Sequence, residues 1–185
     1  MLPYSLARVN TALMLHAAAP LSTARVAHSA ALAYTPAESA LDTLEKRGLV
    51  QRSRRFGRDR FRPNRDSLYY PMAYMTALVD LPVADALRGE RASVVYAYGR
   101  IAQPGGASAD SDLDLLIVGE IDDPGGLMAR LALMGMRLGR AVVPLILTSD
   151  QLDQARRHGD GHVAAALDGV RILGGWPKPG PPNRA

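Results

Sequence analysis

Residues 35–48 carry the sharpest boundary signals in the chain, and they limit what the neighbouring segments can form. Thr35 precedes a proline, and Glu38 follows Thr35 by three residues. This pattern predicts a capping threonine, a proline at the first helical position and a capping box. Apolar residues at helical spacing continue up to Gly48, which predicts the end of the helix. We therefore expect a short amphipathic helix that ends abruptly at this glycine.

Two further helices are predicted upstream of this one. The first runs from Tyr4 to about Ala18, has apolar residues at helical spacing, and is stopped by Pro20. The second opens at Ser22, a good N-cap residue, and reaches about Ala30. The N-terminal part of the chain is thus expected to hold three consecutive helices.

An arginine-rich hairpin is predicted immediately after the third helix. Two short arms, residues 49–55 and 60–63, flank a turn over residues 56–59 that contains a glycine. The run from Gln51 to Arg65 holds seven arginines and the single acid Asp59. Residues 1–88 hold 12 Lys and Arg against 7 Asp and Glu, so the positive charge is concentrated in this half. The planar guanidinium suits phosphates and base edges, which favours a nucleic-acid contact over a merely solvated face.

These features together resemble the winged helix-turn-helix regulators of bacteria and archaea. The stretch that carries the resemblance is LSTARVAHSAALAYTPAESALDTLEKRGLVQRSRRFGRDRFRPN, and the likeness covers roughly residues 5–65. It implies a domain over residues 1–65 that binds double-stranded DNA, with the third helix in the major groove and the hairpin on the backbone or in the minor groove. A winged helix that is used only for protein contacts is the alternative.

The third helix has three acids against two bases, so it contributes little electrostatic attraction to DNA. Ser39, Thr43 and Arg47 are its candidate contacts. Most of the binding free energy is assigned to phosphate contacts from the hairpin, which position the protein rather than specify a sequence. The hairpin candidates are Arg52, Arg54, Arg55, Arg58, Arg60 and Arg62.

Residues 66–90 are expected to form a helical connector. One helix is predicted from about Pro71 to Val79 and a shorter one from Val83 to Leu87. The first contains a run of Tyr and Met residues that is typical of core packing, while a cofactor box or a homodimer seam is the alternative. A partner protein also remains an alternative for the chain as a whole. A proline-rich tail, residues 176–185 with Trp176 near its start, is expected to be extended.

The second half of the chain predicts an α/β (α+β) domain over residues 91–175. SVVYAYG, LDLLIVG and AVVPLILT are expected strands, and GLMARLALMGMRLGR is an expected helix. Ser149 and Asp150 are expected to cap another short helix, HVAAALDGV predicts a last helix, and RIL predicts a last short strand.

Two carboxylates at the start of the second strand are the chemically most informative residues in this half. Asp112 and Asp114 are two apart, so on a strand they project from the same face. Two carboxylates on one face repel each other unless they share a cation. Mg²⁺ prefers hard oxygen ligands and keeps positions open for phosphate oxygens, so it fits this pair.

The stretch YAYGRIAQPGGASADSDLDLLIVGE resembles the signature of the DNA polymerase β-like nucleotidyltransferases, especially the minimal and kanamycin-nucleotidyltransferase-like branches. The resemblance covers about residues 90–175. It implies that Asp112 and Asp114 bind the metal and are catalytic. It also implies that Gly99, Arg100 and Ser111 contact the nucleotide, with Mg²⁺ and a nucleoside triphosphate as cofactors.

Two departures from the family pattern weaken the expectation of catalysis. Arg100 occupies the position of the family's serine after Gly99, which adds bulk and a cation to the phosphate loop. The strand over residues 141–147 contains no acid, although active members carry a third carboxylate there. Without that carboxylate, general-base assistance and two-metal phosphoryl transfer are hard to assemble.

Three functions remain open from the sequence. The first is a DNA-binding, transcriptional-regulator-like protein whose nucleotidyltransferase-like domain is weak or inactive and binds a magnesium nucleotide. The second is an active Mg²⁺-dependent transferase that acts on a nucleic acid, protein or small molecule. The third is an antitoxin-like partner of a toxin. The absence of cysteine and of a long apolar run predicts a cytoplasmic protein without a membrane partner.

Overall fold

The computed structural model describes residues 3–16, 20–106, 108 and 111–174. Its first part consists of three packed helices and a hairpin. The helices are α1 (Tyr4–Leu15), α2 (Thr23–Ala30) and α3 (Tyr34–Lys46), and the hairpin strands are β1 (Val50–Arg55) and β2 (Arg58–Pro63). The apolar faces of the helices form one core with two hairpin residues, Val50 and Phe61.

The helix ends test the predicted caps. Ser22 caps α2 as predicted, since its side chain accepts a hydrogen bond from the Arg25 amide. The capping box at Thr35 and Glu38 is wrong, because α3 begins at Tyr34 after Ala33 and has no side-chain cap. Pro36 is tolerated inside the first turn because the first amides of a helix have no partner within the helix. Helix α1 ends at Leu15, and Ala18 lies outside the described residues.

A four-stranded sheet forms the centre of the second part. Its strands are β3 (Arg91–Tyr98), β4 (Leu113–Glu120), β5 (Val142–Leu147) and β6 (Val170–Gly174), in the order β5-β4-β3-β6. β3 runs antiparallel to both β4 and β6, whereas β4 and β5 are parallel. The parallel pair needs a crossover, which is provided by α6 (Pro124–Leu138). The architecture is therefore a mixed α/β fold of the α+β class.

Helices cover both faces of this sheet. Helices α4 (Tyr70–Val79), α5 (Val83–Ala86) and α6 pack on one face, and α7 (Ser149–Arg157) and α8 (Gly161–Leu167) pack on the other. Alternation along β4 sends Leu113, Leu115 and Ile117 to the first face and Leu116 and Val118 to the second. Helix α7 is capped by Thr148, which forms a reciprocal capping box with Gln151, so the predicted caps Ser149 and Asp150 are wrong.

The segment predicted as a connector is part of the main core. Tyr70 and Tyr74 of α4 are buried in it, which supports the packing interpretation, whereas Met72 of the same helix and the N-cap residue Tyr69 are exposed. Helix α4 is also tied to α1, because the Asn10 side-chain amide donates to a backbone carbonyl of α4 at 2.9 Å. The helices before and after the hairpin are thus held together by direct contacts. Trp176 and the proline-rich tail lie outside the described residues.

Candidate functional site

The arginines of the hairpin are divided between its two faces by the strand register. Residues that pair across an antiparallel ladder project to the same side. The pairs Arg55 with Arg58, Ser53 with Arg60, and Gln51 with Arg62 alternate with the pairs that contain Val50 and Phe61, which are buried in the core. The side directed away from the core therefore holds four cations, which we call the outer arginine face: Arg55, Arg58, Arg60 and Arg62.

Arg52 lies on the other side of the hairpin and is held by contacts within the chain. Its guanidinium lies 4.9 Å from the centre of the Phe61 ring. It forms ion pairs with Asp42, with Glu45 at 2.8 Å and with Asp59 at 3.3 Å. Arg52 therefore fixes α3 against the hairpin and compensates two of the three acids of α3. Arg54 shares this side of the hairpin and is exposed.

The candidate DNA contacts on α3 also make contacts within the chain. Ser39 is exposed, and the Thr43 hydroxyl, one turn later, donates to the Ser39 carbonyl at 2.9 Å. Arg47 caps the C-terminus of α3 and lines a groove beside Leu44 and Leu49. The three residues follow one another at four-residue spacing, and the Arg47 amide donates to the Thr43 carbonyl at 3.1 Å, so Arg47 continues the stripe of Ser39 and Thr43 at the end of α3.

The hairpin tip presents a residue that sequence reasoning treated only as part of a turn. Phe56 and Gly57 form a two-residue turn with φ of 50° and 71°, so Arg58 and Asp59 belong to β2 rather than to the turn. A bulky side chain is disfavoured in this left-handed region, where such a turn usually has Asn before Gly. Phe56 is nevertheless 89 % exposed, and the Arg55 guanidinium lies 5.3 Å from its ring centre. An exposed aromatic in a strained turn is a candidate contact residue.

A second candidate site is formed by the carboxylates at the start of β4. Asp112 is exposed and lies one residue before β4, so it is not on the strand as expected. Asp114 is half-buried on the sheet face that α7 and α8 cover. Burial and then the neighbouring Asp112 raise the pKa of Asp114 above its ordinary value. The Gly99 backbone approaches so closely that a Cβ there would lie 2.7 Å from Asp114 Oδ2, and Gly99 has a φ of +71°. Glycine is therefore required beside this carboxylate.

Three further side chains surround Asp114. Tyr98 pairs with Asp114 across the strands, and its hydroxyl lies 3.2 Å from His162 Nε2. Burial and then the charge of Asp114 raise the pKa of Tyr98. The nearby His162 and Arg100 side chains act in the opposite direction on the pKa of Asp114. His162 was not predicted as part of this site, because it lies 64 positions from Tyr98 and no local motif marks it.

The loop before Asp112 is held by a buried arginine that sequence reasoning missed. Arg140 is only 8 % exposed. It donates to the carbonyls of Ser108 and Ser111 at 2.6 Å each and to the carbonyl of Leu15 at 2.5 Å. The Ser111 hydroxyl accepts from the Ser108 amide at 3.0 Å, so its side chain is used inside the loop. Arg140 thus connects the end of α1 to the carboxylate site.

The carboxylate site brings together two acidic side chains, Asp112 and Asp114. Among residues 3–16, 20–106, 108 and 111–174, no group of three or more His, Asp or Glu side chains is placed to hold a metal. The neighbour of Asp114 on β5 is Val143. Glu120 lies at the far end of β4, and Asp150 lies in the first turn of α7. The carboxylate oxygens of Asp112 and Asp114, beside the turn at Gly99, are nevertheless chemically suited to a divalent cation.

Comparison of the chain with family models, with curated proteins and with solved structures gave no match in any of the three. In the part of the chain that the structure describes, no helix has the length and apolarity needed to cross a membrane. Inferences about function therefore depend on the geometry of the two sites.

The pKa of Asp114 leads to a prediction about stability. A raised pKa means that the folded state binds this proton more tightly than the unfolded state, so the folded state loses stability as the pH rises through that pKa. Replacing Asp112 and Asp114 by Asn should therefore raise the melting temperature at pH 7, and this gain should shrink as the medium is acidified. Mg²⁺ should raise the melting temperature of the wild type but not that of this double variant.

Thermal melts at pH 7 and pH 4, with and without Mg²⁺, measure both effects. Asp153→Asn, which replaces an exposed acid on α7, is the control. It should leave both the melting temperature and its response to Mg²⁺ as they are in the wild type. A gain of the same size at both pH values would contradict the assigned cause.

Proposed function

We propose that this protein binds double-stranded DNA through the hairpin and α3. The observation that carries the proposal is the outer arginine face, Arg55, Arg58, Arg60 and Arg62, which gathers four cations on the side away from the core. Such a row is suited to the phosphate backbone, because each neutralised phosphate releases condensed counterions. Arg52 supports the same function indirectly, since it compensates Asp42 and Glu45 and so reduces the repulsion between α3 and DNA.

The packing of the first part supports a winged helix-turn-helix. Three helices precede the hairpin, and Leu21 forms a short bridge with Phe61 of β2 through two backbone hydrogen bonds of 2.8 Å. In that kind of fold the third helix enters the major groove and the hairpin follows the backbone or the minor groove. Ser39 and Thr43 are then the base-reading candidates, and the hairpin arginines position the protein.

Binding can be measured directly by fluorescence anisotropy with a labelled duplex of mixed sequence over a range of salt concentrations. We expect log K to fall linearly with log salt, with a slope of about −0.9 for each phosphate contact. A single-stranded oligonucleotide and an acidic polypeptide of equal charge serve as competitors. Absence of duplex binding at low salt, or equal competition by the acidic polypeptide, would overturn the proposal.

Phe56 at the hairpin tip supplies the next prediction. Phe56→Asn relieves the left-handed backbone conformation and should raise the free energy of unfolding by about 1 kcal/mol. The same change should weaken duplex binding, because an apolar side chain at the tip can wedge between base steps in the minor groove. Phe56→Leu, which retains an apolar tip and the strain, is the matched control and should keep more of the affinity. Urea unfolding and anisotropy measure the two effects. If Phe56→Asn is more stable but binds the duplex with unchanged affinity, Phe56 does not contact the DNA.

For the second part we propose a nucleotidyltransferase-like domain that binds a magnesium nucleotide weakly. Asp112 and Asp114 would hold Mg²⁺, and Gly99 and Arg100 would contact the phosphates. The close approach of Gly99 to Asp114 supports this assignment, because it leaves room beside the carboxylate that any other residue would fill. The magnesium ion would neutralise phosphate charge when bound. Val143 beside Asp114 supplies no third carboxylate, which favours binding without transfer.

An active transferase is the second candidate function, and the paired carboxylates are the observation that favours it. Each labelled nucleoside triphosphate can be incubated with the protein, Mg²⁺ or Mn²⁺, and candidate acceptors that include the protein itself. We expect no transfer above background. Transfer that disappears when Asp112 and Asp114 are replaced by Asn would establish the enzyme instead.

A further inference from the structure

A groove of about 390 Å³ lies between α1, α3, the start of β1 and α4. Its walls are mainly apolar and include Leu44, Leu49, Met72 and Ala73. This volume falls within the range of pockets that bind small molecules. The groove contains no residue of the carboxylate site or of the outer arginine face, although Arg47 in its lining is also a candidate DNA contact. DNA binding does not explain its apolar walls.

One lining residue has an unsatisfied polar atom. Asn10 lines the groove and is 1 % exposed. Its side-chain amide donates to the Ala73 carbonyl, but its carbonyl oxygen Oδ1 has no hydrogen-bond partner among the residues that the structure describes. Buried acceptors without a donor are costly and uncommon in native proteins. Oδ1 is enclosed in this structure, so a ligand that brings an N–H or O–H group to it must displace the adjacent lining, and the bond would then remove this cost.

The same groove contains an exposed cation. Arg47, which caps α3, lines the groove together with Tyr69 and Thr76. No acidic residue belongs to the lining. The charge of the groove therefore favours an anion and disfavours a cation, while the apolar walls favour a ring system or a short aliphatic body.

We propose that this groove binds a small amphipathic anion. Its apolar body would pack on Leu44, Leu49 and Met72, a donor group would bond to Asn10 Oδ1, and its negative group would pair with Arg47. This inference goes beyond the proposed function, and its test contains no DNA and no nucleotide.

A matched pair of dyes separates the charge contact from the other two. Anilinonaphthalene sulfonate carries apolar rings, an N–H donor and a negative group, whereas N-phenyl-1-naphthylamine has the same rings and donor without the charge. We expect one saturable site for each dye by fluorescence titration. Arg47→Ala should weaken the sulfonate about tenfold, in keeping with the loss of a charge-assisted hydrogen bond, and should leave the neutral dye unchanged.

Two further variants locate the site. Asn10→Leu should weaken both dyes, and Met72→Glu should weaken the sulfonate more than the neutral dye because it introduces a like charge. Met72 is 64 % exposed, so its variant is expected to fold normally, and circular dichroism checks this. Met136→Glu, on the exposed apolar face of α6, is the control and should change neither titration. Failure of the wild type to bind either dye, or equal losses in Met72→Glu and Met136→Glu, would overturn the proposal.

Discussion

Replacement of Arg55, Arg58, Arg60 and Arg62 by alanine should remove most of the affinity for duplex DNA. These side chains share the hairpin face that is directed away from the core. If each contacts one phosphate, the slope of log K against log salt should flatten by about 0.9 per contact, and the affinity near physiological salt should fall by roughly 100-fold or more. Anisotropy titrations with one labelled duplex at several salt concentrations measure both quantities.

A variant of equal charge separates local contacts from the general attraction between a basic protein and DNA. The control replaces four arginines that lie outside the hairpin by alanine: Arg88, Arg137, Arg157 and Arg171. Each set of four replacements lowers the formal net charge from +4 to zero. This control should retain most of the salt dependence. Equal losses in the two variants would show that the outer arginine face is not the contact surface.

Arg140→Met should cause the largest loss of stability among the single substitutions considered. The guanidinium supplies donors to three backbone carbonyls, those of Leu15, Ser108 and Ser111. A buried acceptor left without a donor costs about 1–3 kcal/mol, so the free energy of unfolding should fall by roughly 3 kcal/mol or more. The rise in melting temperature that Mg²⁺ induces should also be lost, because the loop that leads into Asp112 is no longer held.

Urea unfolding measures the loss of free energy of unfolding, and thermal melts with and without Mg²⁺ measure the loss of the magnesium effect. Arg140→Lys keeps the charge but not the planar fork, and it should give an intermediate loss. Arg137→Met, on the last turn of α6, is the control and should change the stability by about 0.5 kcal/mol at most. A loss below about 1 kcal/mol in Arg140→Met would mean that the loop is held by other contacts.

The local elements of this chain were predictable because their signals are local. Helix α4 was expected from Pro71 to Val79 and is observed from Tyr70 to Val79. The strand that follows Asp112 was expected to begin at Leu113, where it does begin. Periodicity and turn residues act within one or two turns of chain, so they report such elements well. They failed at helix starts such as α3 and α7, where neighbouring residues compete for the cap.

The sequence by itself determined the arginine-rich hairpin and the mixed α/β class, and it located Asp114 on β4 with Asp112 just before it, since these follow from composition and from local patterns. Only the tertiary structure decided which partners those residues have. It paired Arg52 with acids of α3, brought His162 to Tyr98, and joined Arg140 to Leu15 across 125 positions of the chain. Such contacts depend on how whole elements pack, and the packing of distant elements leaves no periodic signal in the segments that meet.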